Sequence, residues 1–161
     1  MGLSEVSNIL WRERQLLELL RYKLEIEQLL LVNGRTRWLS AAAREIEDLL
    51  DAIKQAELTR AMEVESLAAD LGLVPNASLR ELAEAAPAPW RHILEEHRAG
   101  FLTATQEIVG LADNNRELIV KGQRDVHDAL AWLGENQDET YSASGGSAVR
   151  QTAARLIDRN L

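Results

Sequence analysis

The first part of the chain carries a leucine at every seventh position. These leucines are Leu3, Leu10, Leu17, Leu24 and Leu31. A seven-residue apolar repeat puts one side chain every two turns on the same face of an α-helix, which is the pattern of coiled coils. It predicts a helix over about residues 4–33, roughly 45 Å long and typical of an extended bundle. Asn33 and Gly34 predict a left-handed turn that ends this helix.

A second long helix is predicted over about residues 37–71, again from apolar residues at helical spacing. Its apolar face consists of Leu39, Ala42, Ile46, Leu49, Ile53, Val64, Leu67 and Leu71. Gly72 and Pro75 interrupt the spacing and predict the end of this helix, because both residues disfavour a continued helical turn.

A short connecting helix is predicted next. Ser78 and Glu81 have the spacing of a capping box, in which the two side chains satisfy free backbone N–H groups at a helix start. The helix is expected to run to Ala86. Pro87 and Pro89 interrupt it, because proline is accepted in the first turn of a helix and not in its interior.

The third long helix is predicted over about residues 88–134. Its apolar stripe consists of Trp90, Leu94, His97, Phe101, Ala104, Ile108, Leu111, Asn115 and Leu118, and after Gly122 it shifts to Ile119, Val126, Leu130 and Leu133. Gly100, Gly110 and Gly122 each lower the stability of a helix by roughly 1 kcal/mol relative to alanine. The helix is therefore expected to bend readily to suit a partner.

The remaining residues predict a tail. Residues 135–147 are polar and contain Gly145-Gly146, which predicts a flexible linker. Residues 149–161 predict a short amphipathic helix, whose apolar face consists of Val149, Ala153, Leu156 and Ile157. The whole pattern predicts an all-α fold: an elongated antiparallel bundle or coiled coil of three long helices, with a short connecting helix and a flexible C-terminal tail. The bundle domain would span residues 1–134 and the tail residues 135–161.

Composition and charge narrow the classes of partner. The chain is 46% hydrophobic but only 4% aromatic, which suits long helices better than strands. The formal net charge of −8 disfavours nucleic acids and anionic membranes, since both would repel it, and tolerates basic partner segments. No apolar stretch approaches the roughly 18 residues that cross a membrane. We therefore expect a soluble cytoplasmic protein that does not insert into a membrane.

The sequence offers little catalytic chemistry. There is no cysteine, so disulfides and Cys-ligated zinc are excluded. The three histidines, His92, His97 and His127, do not have the four-residue spacing that lets two of them hold a metal from adjacent helical turns. Neither a nucleophile elbow nor a Gly-rich phosphate loop occurs. We expect no enzymatic activity, no metal and no cofactor.

Two groups of residues leave alternatives open. Trp11, Trp38 and Trp90 are expected to fill the core where helices converge, whereas Trp132 could equally anchor a partner. Asn115 falls on the apolar stripe of the third helix, where a polar side chain can fix the register of two helices. Alternatively, Asn114 and Asn115 contact a client helix in a groove that residues 111–133 leave open.

Several stretches resemble the FlgN family of flagellar export chaperones. The run "LLELLRYKLEIEQLLLVNGRTRWLSAAAREIEDLL" resembles the family's leucine-rich first helix, short break and Glu-rich second helix. "LADNNRELIV" and "ETYSASGGS" resemble its Asn- and Leu-containing last helix and the flexible stretch with Tyr and Gly that follows. The resemblance covers about residues 5–147. The insert "PNASLRELAEAAPAPW" and the tail "VRQTAARLIDRNL" are longer than the family pattern requires and resemble an actinobacterial branch.

The resemblance implies a cytoplasmic chaperone for hook-filament junction (hook-associated) proteins. Such a chaperone binds the C-terminal helices of these proteins, prevents their premature assembly and delivers them to the membrane export gate. The client contacts are expected at Asn114, Asn115, Leu118, Ile119, Val126, Leu130 and Leu133. Tyr141 is expected to dock at the export gate.

A structural or adaptor coiled coil is the alternative function. In that case the chain homodimerises through the seam from Leu3 to Leu31. The heptads alone do not separate the two functions or fix the oligomeric state, because a bundle within one chain and a dimer use the same leucine stripe. A weak, polar-interrupted last helix followed by a flexible tail favours the chaperone.

Overall fold

The computed structural model describes residues 2–134 and 144–160, and in these ranges the protein is all-α. Its helices are α1 (Gly2–Val32), α2 (Leu39–Asp70), α3 (Leu79–Ala85), α4 (Ala88–Leu133) and α5 (Ser144–Asn160), with a 3-10 turn at Thr36–Trp38. The predicted fold class and helix order are confirmed. The last helix begins before residue 149, where the apolar periodicity started, so Ser144–Ser147 are helical and not linker.

The predicted chain reversals also form as expected. Gly34 takes the left-handed conformation with φ of 64°, and the Arg35 N–H donates to the Leu30 carbonyl at 2.8 Å, which ends α1. At the start of α3, Ser78 Oγ accepts the Glu81 N–H at 3.2 Å and the Glu81 carboxylate accepts the Ser78 N–H at 2.7 Å. The Ser78 hydroxyl also donates to the Glu81 carboxylate, at 2.8 Å, and the hydrogen bonds that this carboxylate accepts from Ser78 lower the pKa of Glu81, the backbone one most.

The leucine seam of α1 is buried inside the chain, against both α2 and α4. Leu10, Leu17 and Leu24 are almost fully covered. α2 runs antiparallel to α1, since Glu13 pairs with Arg60 and Lys23 with Glu45. α4 runs parallel to α1, since Ser7 contacts His97 and Leu24 contacts Asn115. In this fold the central leucines are therefore not available for a dimer seam.

α5 packs mainly on α4 and over a shorter stretch on α2, antiparallel to α4. Its inner face consists of Val149, Thr152, Ala153 and Leu156. Ile157, which the sequence pattern assigned to the apolar face, lies at its edge and is 38% exposed, and Thr152 takes the inner position instead. The Thr152 hydroxyl is satisfied because it donates to the Ala148 carbonyl at 3.0 Å. Val149 and Leu156 belong to the same hydrophobic core as the bundle.

The helices differ in length, so α4 extends past the end of α1. Asn115 lies beside Leu24; α1 continues for eight residues to Val32, whereas α4 continues for eighteen to Leu133. The difference of ten residues corresponds to about 15 Å of helix. We call residues 120–133, the part of α4 that follows its last buried residue Ile119, the α4 overhang; its last ten residues lie past the end of α1.

Two of the three tryptophans predicted to fill the core do not do so. About half of the surface of Trp11 and of Trp38 is exposed, and only Trp90 packs partly against the core. The Trp11 and Trp38 rings instead lie under the guanidinium groups of Arg14 and Arg37, each 4.7 Å from the ring centroid. Gly100 makes room for Arg14, because a Cβ at residue 100 would lie 2.7 Å from that guanidinium group.

A buried ion pair joins α1 to α2 in the core. Glu13 Oε2 lies 2.9 Å from Arg60 Nη1, and the two side chains are only 1% and 4% exposed. The Arg60 guanidinium also lies 5.6 Å from the centroid of the Phe101 ring on α4. Burial raises the pKa of Glu13 to about 7 and lowers that of Arg60, because loss of hydration outweighs their mutual attraction.

This pair leads to a prediction about stability. Glu13→Leu alone or Arg60→Met alone leaves its partner buried without its closest counter-charge and is expected to cost about 3–5 kcal/mol. The double variant removes both charges and is expected to be close to the wild type in its free energy of unfolding. Urea unfolding of the four proteins measures this. Losses that simply add in the double variant would contradict it.

His97 is the second buried titratable group. Its Nε2 lies 3.1 Å from Ser7 Oγ, and its ring meets Trp11 edge-to-face at 5.1 Å between centroids. Burial, helped by the positive charge of Arg14, lowers the pKa of His97 to about 4. The folded protein therefore holds a neutral imidazole over a pH range in which the unfolded chain takes up a proton.

The depressed pKa predicts a loss of stability in mild acid. The contribution of the neutral His97 ring to the free energy of unfolding is fully present above pH ~6.5, the pKa of histidine in the unfolded chain. It is lost as the pH falls from that value towards 4. Between pH 6.5 and 4.5 the wild type should lose about 2 kcal/mol relative to His97→Gln, which lacks this titration. Unfolding at several pH values, with both proteins in the same buffers, tests this. Parallel pH profiles would refute it.

Candidate functional site

The predicted client contacts divide into two groups along α4. Asn115 and Ile119 are buried in the bundle, Leu118 is half-buried beside them, and Asn114 faces solvent. After Ile119 no described residue of α4 is buried: Val126 and Leu133 are exposed and Leu130 is half-buried. The second group, Val126, Leu130 and Leu133, therefore lies on the α4 overhang, outside the core. Tyr141 lies outside the described residues.

Asn115 makes the contacts expected of a residue that fixes helix register. Its Nδ2 donates to the Leu24 carbonyl at 2.9 Å and to Glu27 Oε1 at 3.0 Å, both on α1. Its side chain is 1% exposed, so both amide protons are used inside the bundle. A sliding of α4 along α1 would break these bonds in a buried environment, which is costly. In this conformation Asn115 therefore holds α1 and α4 together and does not face a client.

The α4 overhang presents an apolar face to solvent. Val126, Leu130 and Leu133 recur at i, i+4 and i+7, which places them on one side of the helix. Val126 is 52% and Leu133 61% exposed. Trp132 is 86% exposed and lies on a different side of the helix, about 120° away. Trp132 therefore takes no part in the core, and the side chain is free for a partner.

The end of α1 adds exposed apolar residues that the sequence analysis did not single out. Leu29 and Val32 are mostly exposed, and they stand at the end of the bundle from which the α4 overhang emerges. Their positions look like a continuation of the leucine-rich core pattern in the sequence. Their exposure becomes visible only in the structure, where α1 ends beside the longer α4 and no helix of the described ranges covers them.

The surface of α2 and α4 that α5 covers is a second feature, which we call the α5 groove. Arg150 Nη1 donates to both carboxylate oxygens of Asp113 on α4, at 2.7 and 2.5 Å. Arg155 donates to Glu57 on α2 through Nε and Nη2, each 2.9 Å from Oε2. The hydrogen bond with Asp113 raises the pKa of Arg150. Acidic side chains thus border the groove on both helices.

A cavity of about 580 Å³ remains beside the ion pair between Arg155 and Glu57. It lies between the middle of α2, residues 76–82 and Arg155, and its walls include Leu58, Val64, Leu79 and Leu82. The cavity combines apolar walls with the charged groups of Glu57 and Arg155. α5 therefore covers the groove without filling all of the space along α2.

No group of three or more His, Asp or Glu residues among those that the structure describes is arranged to hold a metal ion. None of the described helices is both long and apolar enough to cross a membrane.

Comparison with known proteins gives one result. No curated protein and no solved structure matches the chain significantly. The family described as FlgN protein matches residues 1–148, a range that includes all of α1 to α4 and the start of α5. The four buried residues of α5 lie just beyond this range. Because the match covers most of the 161 residues, the chain belongs to the FlgN family.

Proposed function

We propose that this protein is a cytoplasmic chaperone that binds the C-terminal helices of hook-filament junction proteins and delivers them to the flagellar export gate. Membership of the FlgN family supports a flagellar export chaperone that binds hook-associated proteins in general, and this family is one of chaperones and not of enzymes.

The observation that carries the proposal is the exposed apolar face of the α4 overhang. A junction protein that has not yet assembled would expose amphipathic terminal helices, which aggregate unless their apolar faces are covered. A client helix could lay such a face on Val126, Leu130 and Leu133, in the mode by which amphipathic helices bind apolar surfaces. The binding requires no nucleotide or covalent step.

The neighbouring residues suit a client that must later be released. The overhang face is short, and Leu29 and Val32 at the end of α1 extend the apolar area only modestly. Asp125 is exposed at the edge of the apolar face, about 110° from its centre, and favours a basic residue on the client. A small apolar contact with a charged border gives moderate affinity, so that the client can pass to the gate.

Client binding predicts a loss of affinity when the overhang face is made polar. Val126→Ser with Leu133→Ser should weaken binding of a C-terminal peptide of a hook-associated protein at least tenfold, because each apolar side chain contributes about 1.5–3 kcal/mol when fully buried. Isothermal titration calorimetry with the purified full chain measures this, and a negative heat-capacity change would mark apolar burial.

The control is Leu19→Ser with Val74→Ser. It makes the same two substitutions at exposed positions outside the overhang, and it should leave affinity and helical circular dichroism unchanged. Equal affinities of wild type, test variant and control would remove the overhang from the client site.

Docking at the export gate is assigned to Tyr141. Tyr141→Ala should weaken binding of the full chain to the cytoplasmic part of the gate membrane protein, because the aromatic ring would supply most of the apolar contact in a polar segment. Tyr141→Phe, which keeps the ring, is the matched variant and should bind nearly as well as wild type. The proposal for this residue fails if surface plasmon resonance gives Tyr141→Ala the wild-type affinity.

A further inference from the structure

We propose that the α5 groove is itself a client-binding site, and that α5 is an internal helix which a client helix displaces. The inference rests on the proposed chaperone function and deepens it, because it names the surface and the kind of helix that it accepts. That helix carries a narrow apolar stripe with one basic residue on each side.

The inner face of α5 has the character of an exchangeable helix. Its buried residues are Val149, Thr152, Ala153 and Leu156, spaced i, i+3, i+4 and i+7. This is the spacing with which amphipathic helices bind grooves. Only Val149 and Leu156 are large apolar side chains, so the seal is weaker than that of α1, whose leucine seam is buried on two sides. The cavity beside Arg155 shows that a helix with larger side chains would find additional space along α2.

The two arginines of α5 define the charge pattern. At about 100° per residue, Arg150 and Arg155 lie on opposite sides of the apolar stripe, each about 110° from its centre. Arg150 reaches Asp113 on α4, and Arg155 reaches Glu57 on α2. One acidic group on each wall of the groove thus meets one basic group on each edge of the helix. A client helix with this arrangement fits the groove, whereas acidic residues at the same edges would be repelled.

The position of the groove suits a client that already contacts the overhang. α5 begins beside Ala112 and Arg116 of α4, shortly before the start of the overhang at residue 120. A client helix could therefore occupy the overhang face and, after α5 has moved away, continue along α4 into the groove. α5 would cover the apolar surface of the groove while no client is bound.

The structure offers a way to lock α5 in place. A Cβ at residue 146 would lie 3.5 Å from the Cβ of Arg116, within the range of about 3.5–4.5 Å found in disulfides. The chain contains no cysteine, so Arg116→Cys with Gly146→Cys supplies the only two thiols. The same purified protein can then be compared with α5 locked after oxidation and released after reduction.

The test is the affinity of the full chain for a C-terminal peptide of a hook-associated protein. The reduced protein should bind it at least tenfold more tightly than the oxidised protein. The single variant Arg116→Cys, treated with the same oxidant, should keep its affinity. If the peptide binds the locked and released forms equally, the inference is overturned and the chaperone function still stands.

If the peptide binds neither form, the result counts against the proposed chaperone function. A second experiment then tests the inference about the groove independently. Its probe is a labelled peptide of residues 144–161 of the chain itself. In full-length Arg150→Glu with Arg155→Glu, the acidic borders of the groove repel α5, so this variant should bind the probe. The control is Arg12→Glu with Arg35→Glu, which changes the charge equally at exposed positions away from α5. The test variant should bind the probe at least tenfold more tightly than the control.

Two further comparisons complete this experiment. A probe with glutamate at positions 150 and 155 should not bind, because the acidic borders of the groove repel it. Full-length Val149→Asp with Leu156→Asp removes the apolar seat of α5 and should also bind the original probe. If neither open variant binds it, the groove does not accept a helix in trans and the inference is overturned.

Discussion

Burial of the α1 leucine seam from two sides is the constraint on which the remaining structure depends. A helix of this length cannot bury a continuous apolar stripe alone, so α2 returns antiparallel and α4 runs parallel along it. Leu10, Leu17 and Leu24 lie where the three helices meet. Because α2 is antiparallel to α1, the end of α2 already lies beside the start of α1, and Leu67 contacts Gly2 there. The chain has only to turn at this end of the bundle for α4 to run parallel to α1. The segment with α3 makes this connection, and its capping box fixes where α3 begins.

Polar groups within this apolar core select one alignment of the helices. Asn115 ties α4 to the Leu24 carbonyl, and Glu13 ties α1 to Arg60. Leucine stripes alone would tolerate a shift of one heptad, since each register buries similar area. A shifted register would leave the amide and the charges buried without partners, which is far more costly than the loss of a few apolar contacts. These side chains add little to the net stability of the fold, but they disfavour the alternative helix registers.

Because α4 is longer than α1, one part of α4 stabilises the bundle and another part carries the proposed client contacts. Up to Ile119, α4 contributes to the core, and beyond it none of the helices described over residues 2–134 and 144–160 covers the apolar side chains of the overhang. α5 covers another part of α4, through a thin apolar stripe, an exposed ion pair at Arg150 and a part-buried ion pair at Arg155. Surface ion pairs contribute little and are screened by salt. The protein thus carries one apolar surface that is open and one that its own helix covers, which is a reasonable basis for holding and releasing amphipathic helices.

The sequence by itself determined the fold class, the helices and the ends of α1 to α4, because apolar periodicity, Gly34 and the Ser78–Glu81 capping box each act over a few neighbouring residues. It missed the start of α5, because Ser144–Ser147 are polar and glycine-rich and yet helical. It also identified Asn115 as exceptional, but not its partners, because these lie about ninety residues away along the chain. The predicted core roles of Trp11 and Trp38 were wrong, since periodicity does not show which large side chains a neighbouring helix leaves exposed. Only the tertiary structure decided that α1 is covered from both sides, that α4 outruns it, and that α5 docks between two acidic side chains. Those properties depend on the relative positions of helices distant in sequence, and local patterns carry no information about them.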